Sequence, residues 1–530
     1  MKKDTFFGRE FYLDALEKRI TDLKDGYRQN IAIIGDELVG KTAIIFKFLN
    51  KFYDTRIITL YMEIRPESFA SFARRFIGVL LYNFLANSGI PLKEDLDFLI
   101  KKSEKYIPKA VEKIKSILTP LDKTRKNNNF IELFSLCEAI HQETDKFCVV
   151  IFDEFQNLEN IGAKNLYPEW SKLLILQKKT MYIIISSMKF KARAILSKNL
   201  SLLFGNFEIL TVEPFDVKIS EGYLEYMLKG LSIDKGLKNF LVHFTGGSPF
   251  YLELITKELS KNNISGLTDI LEDLLYLPTG LLHQKFSNYL KRFLDTPFSQ
   301  DYITILYLIS NGHNKIKDIA HILRKQKKEL ALRINHLLEL DTISRSGDFL
   351  KVNDRVFSFW LKFVYQEKMQ SLTFDAKNQK VLFRDKIEGM IREFLANTQR
   401  PIIERMKELL RLFEDEIIQI DKKRVRLSHF REIKNLEFNG QGLREGVIGR
   451  SHDNLWIIAL KNDLLTERDI TDFARECKKY RHKTQRKIII ALQEIDPTTR
   501  LRALEEKIWT WDLNNLNQIL DLFYKPRIIA

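Results

Sequence analysis

The stretch Ile31-Ala-Ile-Ile-Gly35-Asp36-Glu37-Leu38-Val39-Gly40-Lys41-Thr42-Ala43 constrains this chain more than any other. It reads as a buried strand, a glycine-bracketed turn and the start of a helix, the context in which the pattern G-x-x-x-x-G-K-[ST] binds phosphate. Gly35 and Gly40 let the backbone curl until its amides face an anion, and the following helix turns its positive end the same way. The expectation is that residues Gly35 to Ala43 cradle the phosphates of ATP. Lys41 then bridges the β- and γ-phosphates, and the Thr42 hydroxyl ligates Mg2+. A chance glycine turn would satisfy the bare pattern. The apolar run Ile31–Ile34 before it and the helical run Ala43–Phe52 behind it favour a βα unit instead.

Phe147-Cys-Val-Val-Ile-Phe-Asp153-Glu154 is an apolar run ending in two carboxylates. A strand buried on both faces delivers such acids to the edge of a parallel sheet where ligands bind. Asp153 is the expected partner of the metal, through Thr42 or water, and Glu154 the group that orients and deprotonates the attacking water. Met181–Ile185 is a third such run, ending in Ser186 and Ser187. Either hydroxyl is placed to sense the γ-phosphate, Ser187 being the candidate retained, and a plain strand-ending turn is the competing reading. Lys189, Lys191 and Arg193 follow as candidates for a phosphate-facing cation. With Arg56–Glu63 and Phe207–Val212, five strands alternate with helical patterns, which predicts an α/β fold with a parallel sheet covered by helices on both faces. Residues from about 91 to 129 are Lys-rich and helical, an insertion between core strands, with Thr124–Asn129 as an exposed loop.

A chain of 530 residues exceeds one core and predicts three or four domains. No apolar run approaches the roughly 18 residues that span a bilayer, and Met-Lys-Lys-Asp-Thr is no signal-peptide core, so the expected location is the cytoplasm, without a membrane partner. Cys137, Cys148 and Cys477 lack the spacing of a disulfide framework or a zinc site. The formal charge of +15 favours a polyanion, with DNA the expected partner.

Two further stretches complete a set. Phe7-Gly8-Arg9-Glu10 precedes the first helical pattern, and Gly246-Gly247-Ser248-Pro249 separates two later helices. Together with Gly35, Gly40-Lys41-Thr42, Asp153-Glu154 and the Ser-ended strand, they resemble the archaeal-type ATPases of the STAND branch of AAA+-related P-loop proteins over roughly residues 1–290. The resemblance implies that Arg9 and Pro249 contact the nucleotide. No unambiguous arginine finger accompanies them, and the sequence leaves open whether a homo-oligomer supplies one.

Beyond residue 293, three amphipathic helical patterns (302–308, 315–323 and 328–340) and a Gly-containing hairpin, Thr342–Val352, have the order of a winged helix-turn-helix. Its third helix would carry Lys327, Lys328 and Arg333 toward a groove. A winged helix used for protein packing is the alternative. Residues 378–530 open with a helical pattern, Lys386–Phe413, and continue with strands and helices in an order similar to restriction-endonuclease-like domains of the PD-(D/E)xK type. That resemblance maps Glu388, Glu445 and Lys461 onto the nuclease positions, with Ala459 where an acid belongs. The expectation is therefore a degenerate, nucleic-acid-docking domain, since a metal needs that carboxylate. Glu476-Cys-Lys478 spells E-x-K but falls in a helical pattern. The expected partition is a P-loop core at 1–215, a helical lid at 216–293, a winged helix-turn-helix at 294–377 and a nuclease-like domain at 378–530. The expected activity is ATP hydrolysis controlling the later modules. A slowly hydrolysing signalling or defence scaffold, or an ATP-regulated metal-dependent nuclease, are the alternatives.

Overall fold

A computed structural model describes residues 6–90, 92–122, 130–162, 165–200, 207–231, 233–261, 266–294, 298–367, 376–420, 423–438, 442–480 and 485–529. The predicted loop Thr124–Asn129 lies outside them. The chain forms two compact units, Met1–Pro214 with Glu339–Asp341, and Phe215–Leu338 with Thr342–Ala530.

The first unit is built on five parallel strands: β1 (Asn30–Gly35), β2 (Ile57–Glu63), β3 (Phe147–Asp153), β4 (Thr180–Ser186) and β5 (Phe207–Val212). Their order across the sheet is β2-β3-β4-β1-β5. Alternate residues of one strand point to opposite faces. Ala32, Ile34, Val150, Phe152 and Ile184 accordingly pack on one side with Phe72, Phe76, Phe134 and Trp170. Ile31, Ile33, Val149, Ile151, Ile183 and Ile185 pack on the other with Leu16, Ile20, Ile44 and Ile45. Both faces are thus covered by helices, as the apolar runs require. The Lys-rich insertion holds helices Leu96–Ser103 and Pro108–Asp122, whose Leu99, Val111 and Ile114 join the first of these cores.

Among the described residues one helix, Phe69–Asn87, is long and apolar enough by length and composition to cross a membrane. Arg74 and Arg75 interrupt its apolar run, so no single uninterrupted stretch has that length. Phe72, Phe76, Leu80 and Phe84 bury its apolar face in the sheet core.

The second unit begins with helices Val217–Met227, Lys235–Thr245, Pro249–Lys261 and Leu281–Leu294. Gly246 and Gly247 both have positive φ, and a Cβ on Gly247 would lie 2.0 Å from the Phe215 carbonyl oxygen. The chain passes too closely there for any other residue. Helices Ser299–Ser310, Ile316–Leu323 and Lys327–Glu339 follow, then the hairpin β6 (Ile343–Ser346) and β7 (Phe349–Val352). A second hairpin, β8 (Ile417–Ile420) with β9 (Lys423–Arg426), precedes a mixed sheet. That sheet consists of β10 (Glu432–Glu437), β11 (Glu445–Arg450), β12 (Leu455–Lys461), β13 (Gln485–Ala491) and β14 (Ile508–Trp511), in that order.

Three expectations need correction in this unit. The single helical pattern Lys386–Phe413 is two helices, Ala376–Thr398 and Ile402–Arg411. Pro401 lacks the amide that a continuous helix needs and disfavours helical geometry at Arg400. The first of the two packs Phe394 on Phe240 and Phe383 on Tyr276, so it belongs with the preceding helices rather than opening the C-terminal sheet. Arg333 does not face a groove. It is 7 % exposed, donates from Nε to Asp301 at 2.6 Å and lies over the Phe298 ring. The β6–β7 turn is likewise engaged inside the unit: Asp348 N donates to the Ile417 carbonyl at 2.9 Å, and Phe349 enters the C-terminal core.

Candidate active site

Gly35 ends β1 with no room for a side chain, since a Cβ would lie 2.3 Å from the Val212 carbonyl oxygen on the adjacent strand β5. The loop then turns through Leu38 (φ 63°) and Gly40 (φ 95°) into helix Lys41–Lys51. Asp36, Glu37 and Val39 complete this loop, and Ala43 lies in the first turn of the helix. The loop therefore has the curled backbone and the helix end that an anion requires. Lys41 is 5 % exposed, and its Nζ donates to the carbonyl oxygens of Gly35 at 3.0 Å and Asp36 at 2.6 Å. Burial pushes its pKa down, while Glu154 and Asp153 pull in the opposite direction.

β4 lies between β1 and β3, yet Thr42 and Asp153 meet across it: Thr42 Oγ1 donates to Asp153 Oδ2 at 2.8 Å. Tyr61, on β2, donates to the same oxygen at 2.9 Å, and the Glu154 amide donates to Oδ1 at 3.0 Å. Burial raises the Asp153 pKa against the hydrogen bonds from Thr42 and Tyr61, and nearby Glu154 raises it further. The Tyr61 phenol is raised as well, by burial and then by Asp153. A desolvated carboxylate beside a hydroxyl, with no fixed cation bonded to it among the described residues, is a fitting donor pair for Mg2+. No group of three or more His, Cys, Asp or Glu side chains among the described residues forms a self-sufficient metal cage. Mg2+ takes one or two protein carboxylates and fills its shell with water and phosphate oxygens.

Glu154 sits in the left-handed region (φ 52°) immediately after β3. Its Oε2 accepts from Ser187 Oγ at 2.8 Å, from the Ser187 amide at 3.3 Å and from Gln156 Nε2 at 2.5 Å. The adjacent Ser186 is fully buried and turns away, its Oγ accepting from the Met188 amide at 3.0 Å. Of the two serines that the sequence left open, Ser187 is the one joined to the acid. Arg9 donates to the carbonyl oxygens of Glu213 at 2.7 Å and Val39 at 3.2 Å, which places it against the phosphate loop. Pro249 opens helix Pro249–Lys261 in the second unit. Lys189 pairs with Asp36 and Lys191 with Glu159. Arg193 lies on the same helix, Lys189–Ala194.

Tyr61 and Gln156 were not anticipated. A hydroxyl near the end of a strand was the available signal for Tyr61, but its role depends on β2 pairing beside β3, with Glu63 opposite Asp153. Sequence alone does not reveal that neighbour.

The nuclease positions do not converge. β11 and β12 are antiparallel with Glu445 opposite Leu460, and directly opposed residues share a face. Lys461, one residue on, therefore projects to the opposite face with Ala459. Its Nζ is bound there to Asp469 at 3.1 Å and to the Gly442 carbonyl at 2.8 Å. Glu388 is exposed on helix Ala376–Thr398. Glu476 lies in helix Glu467–Cys477, paired with Lys479.

Residues 6–255 match the model of a family described as an ATPase domain predominantly from Archaea. No curated protein matches the chain. Among solved structures, the Walker-type ATPase of Pyrococcus abyssi is 19 % identical, with a TM-score of 0.45, over 67 % of this chain and 96 % of that one. The ORC2 protein of Aeropyrum pernix, in complexes with ADPNP and ADP, is 11 % identical, with a TM-score of 0.40, over 68 % and 95 %. The RuvB Holliday junction branch migration motor of Thermotoga maritima is 13 % identical, with a TM-score of 0.30, over 67 % and 96 %. The family match over residues 6–255 and the loop geometry around Lys41 make the N-terminal part of this chain similar to P-loop ATPase domains and support ATPase activity.

Proposed function

We propose that this chain is a cytoplasmic, Mg2+-dependent ATP hydrolase whose nucleotide state controls its later modules, which act on DNA. The observation that carries the reading is the 2.8 Å contact between Thr42 and Asp153, two side chains 111 positions apart. It supports reading the two as a metal-binding pair beside the phosphate loop, with Glu154 next in sequence. Thr42 and Asp153 would hold Mg2+, which supplies charge neutralisation at the phosphates when bound. Lys41 draws the triphosphate into the loop, and Arg9 and Pro249 are the proposed nucleotide contacts. Glu154 takes a proton from the water whose oxygen attacks the γ-phosphorus. The bond from that phosphorus to the bridging oxygen breaks, and its electron pair leaves on ADP. Ser187 holds the Glu154 carboxylate ready for this step.

The later modules are assigned as a lid at 216–293, a winged helix-turn-helix at 294–377 and a nuclease-like, non-cleaving domain at 378–530. The order of helices, hairpin and mixed sheet supports these modules, with helix Ala376–Thr398 packing on the helices that precede it. Ala459, and the separation of Glu445 from Lys461 by the sheet, support a docking role over cleavage. DNA as the partner rests on the surplus of 15 positive charges.

Glu154→Gln is expected to lower single-turnover ATP hydrolysis by about 10²–10⁴-fold while leaving ATP binding intact. Lys41→Ala is expected to abolish binding in calorimetry. Wild-type protein that ignores ATP would overturn the reading.

A further inference from the structure

Asp36 is electrostatically out of place. It directly follows Gly35 in a loop whose amides and helix end suit an anion, so its carboxylate opposes the ligand the loop is built for. Two ammonium groups converge on this residue. Lys41 Nζ reaches its carbonyl oxygen at 2.6 Å, and Lys189 Nζ lies 2.7 and 2.8 Å from its two carboxylate oxygens. Lys189 follows Ser187, the residue that holds Glu154, with Met188 between them. Lys189 is thus tied to the phosphate loop at its side chain and close to the water-activating acid at its backbone. Lys191 is directed elsewhere, to Glu159 at 2.6 Å.

We propose that Lys189 is the catalytic cation supplied in cis to the terminal phosphate, with Asp36 as its anchor in the loop. This rests on the hydrolytic reading above and adds the charge that reading lacks. A γ-phosphate entering beside Lys41 brings more negative charge than one carboxylate and competes for the ammonium. The flexible lysine stem allows the short transfer. As charge moves onto the leaving bridging oxygen and the γ-phosphoryl oxygens, Lys189 donates hydrogen bonds to them and gives up no proton. Asp36, released, remains a neighbour that returns the ammonium after phosphate leaves.

The test separates catalysis from simple neutralisation of Asp36. Lys189→Ala alone leaves an unopposed carboxylate in the loop, so both ATP affinity and kcat should fall. The double variant Lys189→Ala/Asp36→Asn should recover ATP affinity yet keep kcat about 10²-fold below Asp36→Asn alone. It should also fail to retain ADP with aluminium fluoride, which mimics the transferring phosphoryl group. A double variant that turns over at the Asp36→Asn rate would overturn the proposal, leaving Lys189 as a counter-charge only. Recovery of activity on mixing Lys189→Ala with Lys41→Ala protein would overturn action in cis. Wild-type turnover with an unaffected Lys189→Ala overturns this inference alone, whereas ATP binding without wild-type turnover sinks the hydrolytic reading and the inference together.

Discussion

Two buried aspartates, one in each unit, show opposite uses of the same side chain. Asp153 is held by neutral donors, the hydroxyls of Thr42 and Tyr61 and the Glu154 amide, and burial drives its pKa up. Asp521, 2 % exposed at its side chain, is surrounded by fixed cations. Lys351 lies at 2.8 Å, Arg527 at 2.8 and 3.1 Å, and Arg355 is also bonded to it. Burial would raise the Asp521 pKa, but Arg355, Arg527 and Lys351 together hold it well below the usual carboxylate range. His243 lies against the same cations, accepting from the Arg527 amide at 3.2 Å, and burial with Arg355 keeps it uncharged at neutral pH. The difference is one of availability. An acid ringed by hydroxyls still lacks a cation and is ready to take one, whereas an acid already given three is committed to joining β7, helix Arg355–Trp360 and the C-terminal helix Leu513–Leu522.

Substitutions at the two acids break this comparison in opposite directions. Asp521→Asn leaves three cations without their carboxylate and should cost about 3–5 kcal/mol in urea unfolding of the whole chain. Because the folded pKa of Asp521 lies below its unfolded value, this contribution is fully present above the ordinary carboxylate pKa of about 3.9 and is lost as pH falls toward the folded value. The gap between wild type and Asp521→Asn should therefore close on acidification, and a gap that persists at the lowest pH would refute the assignment. Asp153→Asn should raise the Mg2+ needed for half-maximal hydrolysis by at least about 100-fold, a cost of about 2.7 kcal/mol. It should leave the nucleotide-free protein no less stable at neutral pH, because ionising Asp153 in the folded state works against folding once pH rises above the unfolded value. A loss of stability comparable to that of Asp521→Asn would erase the contrast. Tyr61→Phe sharpens it at the small end. Removing one hydroxyl donor from Asp153 should raise the Mg2+ requirement by about tenfold, the usual size for a group that orients a metal ligand, with ATP affinity measured without metal unchanged.

Local order in the chain made much of the first unit legible. The runs at Ile31, Ile57, Val149, Ile183 and Ile209 became β1 to β5 because each is short, rich in β-branched and aromatic residues and followed by its own helix or acidic turn. The second unit was harder to read. β8 carries a pattern of four residues, Ile-Ile-Gln-Ile, too short to stand out, and helix Leu513–Leu522 was passed over after β14. Arg333 looked like a surface cation because its type predicts exposure, and only the packing of Asp301 and Phe298 around it shows why it is buried.

What the sequence by itself determined is the phosphate loop from Gly35 to Thr42 and the acid pair Asp153-Glu154, since backbone curl, helix start and strand end are properties of neighbours along the chain. Only the tertiary structure decided the order β2-β3-β4-β1-β5, which brings Tyr61 to Asp153 and Ser187 to Glu154. It likewise set Lys189 on Asp36 and put Glu445 and Lys461 on opposite faces of one sheet. Pairing partner and register set these contacts, and a slip of one residue turns every side chain to the other face.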